Sequence, residues 1–135
     1  GCTLGVQLAW PVRPVLGILG EGAVMYVIQG LWTAARYNIG AKFVICNNGQ
    51  YGILKACSHV YGLPEARRGR YESLDLNHPE IDIVAIARAL GVETHRITEP
   101  EELTERLRES WPQDSPLLLD VPIARGPERL EYGDS

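Results

Sequence analysis

The sequence is poor in the features that mark several large classes of protein. No run approaches the roughly 20 consecutive apolar residues a helix needs to cross a bilayer, so no membrane-spanning helix is expected. The net charge is −4, and the basic residues are scattered. Nucleic-acid binding asks for a broad basic face, and none is expected here. Only Arg67, Arg68 and Arg70 cluster; they could read a phosphate or belong to a solvated loop, and the second reading is preferred. The three cysteines, Cys2, Cys46 and Cys57, show no CxxC or His-paired spacing. An odd count fits a reducing compartment better than a disulfide scaffold, so a cytoplasmic location is expected. Cys46 lies in an apolar run and reads as a small core residue. There are no internal repeats, no low-complexity tracts and no Gly-Lys-Ser/Thr of a P-loop. Position 1 is Gly rather than Met, and the first nine residues read as the tail of a helix already in progress. A piece of a longer chain is therefore expected.

What is present is an ordinary globular composition: 135 residues, 45% hydrophobic and 22% charged, enough for one domain with one core. Pro14 to Leu19 reads as a buried strand ending at a glycine turn. Val24, Ile28, Leu31 and Ala35 fall on one helical stripe, so a helix is predicted from about Ala23 to Tyr37, with Gly40 as its stop. Lys42 to Cys46 is a second buried strand. From Tyr51 to His78 the pattern predicts a short helix or turn over Ile53 to Ser58 and then a long surface loop. Ile83, Ile86, Ala87 and Leu90 predict a helix closed by Gly91. Val92 to Ile97 reads as a strand. Thr98 and Glu101 read as a capping box before a helix carrying Leu103 and Leu107. Pro116 to Val121 is a last strand, and the polar tail from Ala124 is expected to fray. The alternation predicts an α/β fold: a mostly parallel β-sheet flanked by helices on both faces.

Ligands in such folds bind beyond the carboxyl ends of the strands. That rule selects Gly20-Glu21-Gly22 after the first strand and Asn47-Asn48-Gly49-Gln50 after the second. Two glycines and a helix start are suited to a phosphate. Glu21 would repel one unless a hard divalent cation lay between them. Asn48 offers an amide oxygen, and a backbone carbonyl near Gln50 could add a further ligand. With two phosphate oxygens and a water these complete an octahedral magnesium shell. Taken alone, each segment is also an ordinary turn. A dinucleotide site is the competitor. It ranks lower, because Met25 occupies the third glycine position of GxGxxG and no acid ends the second strand.

The run from Gly20 to Ile39, continuing through Phe43-Val-Ile-Cys-Asn-Asn-Gly-Gln-Tyr-Gly, resembles the thiamine-diphosphate motif, Gly-Asp-Gly followed at mid-twenties spacing by Asn-Asn. The chain resembles the cofactor-binding (PP) domain of benzoylformate decarboxylase-like 2-oxoacid decarboxylases, within the superfamily that includes acetolactate synthase. Leu31-Trp32-Thr33-Ala34-Ala35, Tyr37-Asn38-Ile39, Ala87-Arg88-Ala89-Leu90-Gly91-Val92 and Pro116 to Val121 extend the likeness over nearly the whole chain. The resemblance implies a single domain over residues 1–135, truncated at its start, with the pyrimidine-binding and middle domains absent.

It also implies roles. Glu21, the Asn48 side chain and the Gln50 backbone oxygen would hold Mg2+. Gly20, Gly22, Ala23, Asn48, Tyr51 and Gly52 would lie against the diphosphate of thiamine diphosphate. Leu54 and Cys57 would border the substrate pocket. No catalytic residue is assigned to this chain: the family's glutamate that assists ylid formation sits on the pyrimidine-binding domain, of the same or a neighbouring chain. His59, His78 and His95 are expected to be surface or loop residues. Two positions depart from the motif. Glu21 stands where Asp is usual and carries its carboxylate one methylene further out, and Ala23 replaces the usual Ser. The expected parent is a homo-oligomeric decarboxylase acting on a small 2-oxoacid, with an acetolactate-synthase-like carboligase or a degenerate assembly module as alternatives.

Overall fold

The computed structural model describes residues 1–125. They divide into two compact units: Gly1–Asn47 with Asp82–Ile123, and Asn48–Ile81 with Ala124 and Arg125. Apart from Ala124 and Arg125, the tail expected to fray lies outside the described residues.

The first unit is built on a sheet. Its strands are β1 (Leu16–Gly20), β2 (Lys42–Asn47), β3 (Glu93–Arg96) and β4 (Leu117–Pro122), in the order β1-β2-β4-β3 and parallel throughout. In β2, Phe43, Val44 and Ile45 are buried one after another. Side chains alternate across a strand, so consecutive burial requires cover on both faces. On one face Val44, Leu117, Leu119 and Ile97 form a cluster with Leu103 and Leu107 of α7 (Pro100–Ser110) packed on it. On the other, α1 (Cys2–Ala9) lies so close to β1 that a Cβ on Gly17 would come within 2.6 Å of the Thr3 hydroxyl. The α/β expectation with a parallel sheet and helices on both sides holds.

Several local expectations are corrected. The single helix predicted from Ala23 to Tyr37 is two: α2 (Glu21–Val24) and α3 (Gly30–Arg36), separated by turns over residues 25–29. Val24, Leu31 and Ala34 are the buried positions there, rather than a stripe reaching Ala35. Gly30 within the run has no side chain to support a continuous helix. Asn38, at φ 49°, takes the left-handed place after α3, so the helix stops ahead of Gly40, where the stop was expected. Gly40 meets another need, since a Cβ there would press to 3.2 Å from the Asp114 backbone. The capping box is displaced: Glu99 is the N-cap of α7, with no side-chain cap bond, because Pro100 at the first turn sets the entry. Instead α6 (Ile83–Ala89) is capped by Asp82, whose Oδ1 accepts from the Ala85 amide at 2.8 Å. Gly91 closes α6 at φ 85°, as expected.

The second unit holds α4 (Gly52–Val60) and α5 (Pro64–Arg67), followed by a return segment through residues 71–77. Part of the expected loop is thus helical. Arg68 and Arg70 lie exposed and pair with Glu65 at 2.6 and 2.9 Å, as a solvated segment does.

Lys42 begins β2 yet is only 2% exposed. Its Nζ donates to the carbonyls of Gln113 at 2.9 Å and Ser115 at 2.6 Å. Burial pushes its pKa below 10.5, and the nearby Asp114 and Glu93 carboxylates oppose that shift. Between the lowered value and 10.5 the unfolded chain binds the Lys42 proton more tightly than the folded one, so stability rises with pH across that window. Lys42→Met removes this titration. In urea unfolding at increasing pH toward that window, the wild type is expected to gain on Lys42→Met; a constant difference would contradict the buried-ammonium account.

Candidate functional site

The expected site residues fall into two groups, one on each unit. In the first unit the pairing of β1 with β2 sets the geometry. Gly20 ends β1 and is in register with Cys46, one residue before β2 ends at Asn47. Two parallel strands therefore release the chain side by side, Glu21 following one and Asn48 the other. Gly20 is extended, at φ −80° and ψ 154°, and a Cβ there would find only the Cys46 carbonyl, 4.0 Å away. Glu21 opens α2 and is 3% exposed; Gly22 is buried and Ala23 is exposed. α2 has only 4 residues, so it supplies a few turn amides rather than the dipole of a long helix.

Sequence reasoning missed Asp120 in this unit. It is 1% exposed, within β4. Its Oδ1 accepts from Asn47 Nδ2 at 3.1 Å, and its Oδ2 lies 3.8 Å from Arg96 Nε. The Asn47 carbonyl in turn accepts from the Ile123 amide at 2.8 Å. The strand end that leads into Asn48 is thus pinned from β4. The signal was visible: an acid interrupts Leu117-Leu118-Leu119 and Val121, and a buried carboxylate needs partners.

In the second unit, Asn48 Oδ1 accepts from the Gln50 amide at 3.2 Å, an Asx turn around Gly49 at φ 67°. That bond fixes which way the Asn48 amide points. Gly52 fits closely against it, since a Cβ would sit 3.2 Å from Asn48 Nδ2. Gln50 is 6% exposed and Tyr51 is half-buried. Leu54 and Cys57 lie three residues apart on α4 and so share a face; Leu54 is exposed and Cys57 half-buried. Lys55, on the same helix, is buried and was not singled out from the sequence. His78 is exposed and His95 pairs with Glu93 at 3.0 Å, whereas His59 is half-buried and bonded to the Tyr71 hydroxyl. Cys2, Cys46 and Cys57 are free thiols.

The donors suit a hard cation in chemical type. Glu21 is a carboxylate, Asn48 an amide oxygen and Gln50 a backbone carbonyl, the oxygen ligands magnesium selects. Among the described residues no group of three or more His, Cys, Asp or Glu gathers as a metal site. A site with one carboxylate and two neutral oxygens has no need of such a group. No described helix is long and apolar enough to cross a membrane.

Residues 1–121 match the family described as thiamine pyrophosphate enzyme, C-terminal TPP binding domain. The chain belongs to this family. A benzoylformate decarboxylase from Pseudomonas aeruginosa is 41% identical over 119 residues, covering 88% of this chain and 21% of the relative. An acetolactate synthase large subunit from Parasynechococcus marenigrum is 32% identical over 123 residues, covering 91% of this chain and 19% of the relative. Among solved structures, the thiamine diphosphate-dependent 4-hydroxybenzoylformate decarboxylase of Rhodococcus jostii superposes with a TM-score of 0.81 at 34% identity, covering 90% of this chain and 22% of that one. The benzoylformate decarboxylase of Polynucleobacter necessarius gives 0.81 at 28% identity, with 95% and 23% covered. The chain thus spans about a fifth of the length of these relatives and constitutes a thiamine pyrophosphate-binding C-terminal domain of the family.

Asp120 offers a direct test of how this family member secures its second strand end. Asp120→Ala removes the acceptor used by Asn47 Nδ2 and is expected to cost about 1–3 kcal/mol in urea unfolding. Asp120→Asn retains an acceptor oxygen and should cost less. Equal costs for the two would show that the bond contributes little.

Proposed function

We propose that this chain supplies the metal-and-diphosphate half of a thiamine-diphosphate-dependent 2-oxoacid decarboxylase of the benzoylformate type. The observation that carries the proposal is the register of Gly20 with Cys46, which ends β1 and β2 within one residue of each other, with Glu21 following one strand and Asn48 the other. Family membership supplies the cofactor; the metal, the reaction and the residue roles are this proposal's own.

Glu21 and Asn48 Oδ1, with the Gln50 carbonyl, hold Mg2+. Gly20, Gly22, Ala23, Tyr51 and Gly52 lie against the diphosphate, with Asn48 at its edge. Leu54 and Cys57 present one face of α4 to the substrate. When bound, thiamine diphosphate supplies the electron sink through which a 2-oxoacid loses carbon dioxide. The chain's own work is to bind and orient, and it carries no catalytic residue. Glu21 moves the carboxylate outward relative to aspartate, and Ala23 lacks a hydroxyl for the phosphate, so affinity is moderated rather than abolished.

Turnover requires a pyrimidine-binding domain from the same or a neighbouring chain, and the parent assembles as a homo-oligomer. In support, Ile18, Tyr26, Val27 and Trp32 are exposed by between 42% and 76%, which is apolar surface that a partner would cover. The free thiols fit a cytoplasmic setting. The acetolactate synthase relative, at 32% identity, favours a carboligase parent as the second reading. Substrate assays on the reconstituted complex separate the two.

Calorimetric titration with Mg2+ and thiamine diphosphate tests the binding claim. Binding is expected to require both components. Glu21→Ala should abolish the magnesium dependence, while Glu21→Asp, with the shorter carboxylate usual in the motif, should bind at least as tightly as wild type. Absence of heat and of any thermal shift in the wild type would overturn the proposal and favour a non-catalytic assembly module.

A further inference from the structure

The second unit contains a charge cluster whose placement points to a task. The return segment runs antiparallel to the stretch that carries Gln50: the Tyr51 amide donates to the Leu74 carbonyl and the Leu76 amide to the Gly49 carbonyl, both at 2.8 Å. Between these bonds Gln50 is paired with Asp75. The bonds are made by the flanking residues, so Gln50 and Asp75 form a non-hydrogen-bonded pair, and the main-chain groups of Gln50 turn away from the return segment. The Gln50 amide reaches Asn48 Oδ1 on that outward side. Its carbonyl leaves the same edge of an extended residue. The two neutral oxygens assigned to the metal are therefore set on one side of a short ladder, and the ladder fixes their spacing.

Asp75 secures the far side of that ladder. Its Oδ1 accepts from Lys55 Nζ at 3.0 Å and lies 3.6 Å from Arg125 Nη1. Lys55 is 3% exposed, and its ammonium stands 4.9 Å above the ring of Tyr71, whose hydroxyl bonds His59. Arg125 closes the circuit: its carbonyl accepts from Gln50 Nε2 at 2.6 Å and its Nη2 donates to the Gly49 carbonyl at 3.4 Å. A buried ammonium stays in place only when paired and solvated by such partners. Lys55 therefore fixes Asp75 to α4, and Asp75 with Arg125 fixes the stretch from Gly49 to Tyr51.

We infer that Asp75, held by Lys55 and Arg125, is a positioning residue that sets Asn48 Oδ1 and the Gln50 carbonyl at the spacing a magnesium ion requires. The inference rests on the metal role proposed for those two residues and adds the device that aligns them. Magnesium demands near-ideal octahedral geometry, whereas calcium accepts flexible coordination. A slackened ladder therefore penalises magnesium more than calcium. A merely structural role would weaken both ions alike.

The test measures Mg2+ and Ca2+ affinity at saturating thiamine diphosphate in the intact protein, for wild type, Asp75→Asn, Asp75→Glu and Arg125→Met, together with hydrogen exchange at the Tyr51 and Leu76 amides without cofactor. Asp75→Asn is expected to lose about 10–100-fold in Mg2+ affinity, the range for residues that orient metal ligands. Its Ca2+ affinity should fall less, and both amides should exchange faster. Asp75→Glu should recover part of the Mg2+ preference. Arg125→Met removes the exposed arm alone and should shift the Mg2+/Ca2+ ratio in the same direction by less. An unchanged Mg2+/Ca2+ ratio in Asp75→Asn would overturn the inference, whether or not the two amides exchange faster. If Asp75→Asn does not fold, an unchanged ratio in Arg125→Met would overturn it. Failure of the wild type to bind either ion with cofactor would overturn the parent reading instead, and amide exchange would still report on the ladder.

Discussion

The alignment of β1 with β2 is the constraint on which the rest depends. A parallel pair has one carboxyl end, and here both strands stop at it: Gly20 opposite Cys46, with Asn47 one step on. A shift of one residue would turn the side chains of the moved strand to the opposite face. It would break the match of Gly17, Leu19, Phe43 and Ile45 on one face and of Val44 with its partners under α7 on the other. Core packing thus fixes the register, and the register fixes where the chain leaves the sheet. The acid and the amide that a cation would bridge are consequences of where the strands end.

Carboxylates next to the residues proposed as metal ligands reinforce this arrangement. Asp120, inside β4, holds the Asn47 side chain. Asp75, in the return segment, faces Gln50 across a ladder and joins Lys55 to Arg125. Neither was assigned a ligand role. Each is placed where a small displacement would propagate along one or two peptide units to an expected metal ligand. A magnesium ion tolerates little misplacement of its ligands, so if the proposed site holds magnesium such supports matter more than they would around a calcium ion.

Much of this was legible in the residues. Continuous apolar runs at Lys42 to Cys46 and Pro116 to Val121 announced parallel strands buried on both faces, because exposed faces would have alternated. The run from Pro14 to Leu19 also announced a strand, but β1 is an edge strand that leaves Leu16 and Ile18 exposed, so its expected burial is corrected. Gly91 behaved as a helix terminator because it takes the left-handed φ of 85° that residues with a Cβ resist. The helix predicted after Gly22 failed because its apolar spacing was satisfied by two short helices joined by turns, a choice that periodicity alone does not decide. The capping box failed by one position, since Pro100 imposes its own helix start. Lys55 and Asp75 were hidden for a different reason. Their pairing spans 20 residues of a segment without clear period, and a buried lysine looks like a surface lysine until the fold shows what encloses it.

The central claim is that a cation bridges the Glu21 carboxylate and the Asn48 side-chain oxygen. A crystal structure of the intact protein grown with thiamine diphosphate and Mn2+, with the metal located by its anomalous signal, tests this most directly. The account predicts one metal peak in direct contact with a Glu21 oxygen, Asn48 Oδ1, the Gln50 carbonyl and the diphosphate, at distances near the about 2.0–2.1 Å of a magnesium shell. A bound cofactor whose metal contacts neither Glu21 nor Asn48 would contradict it.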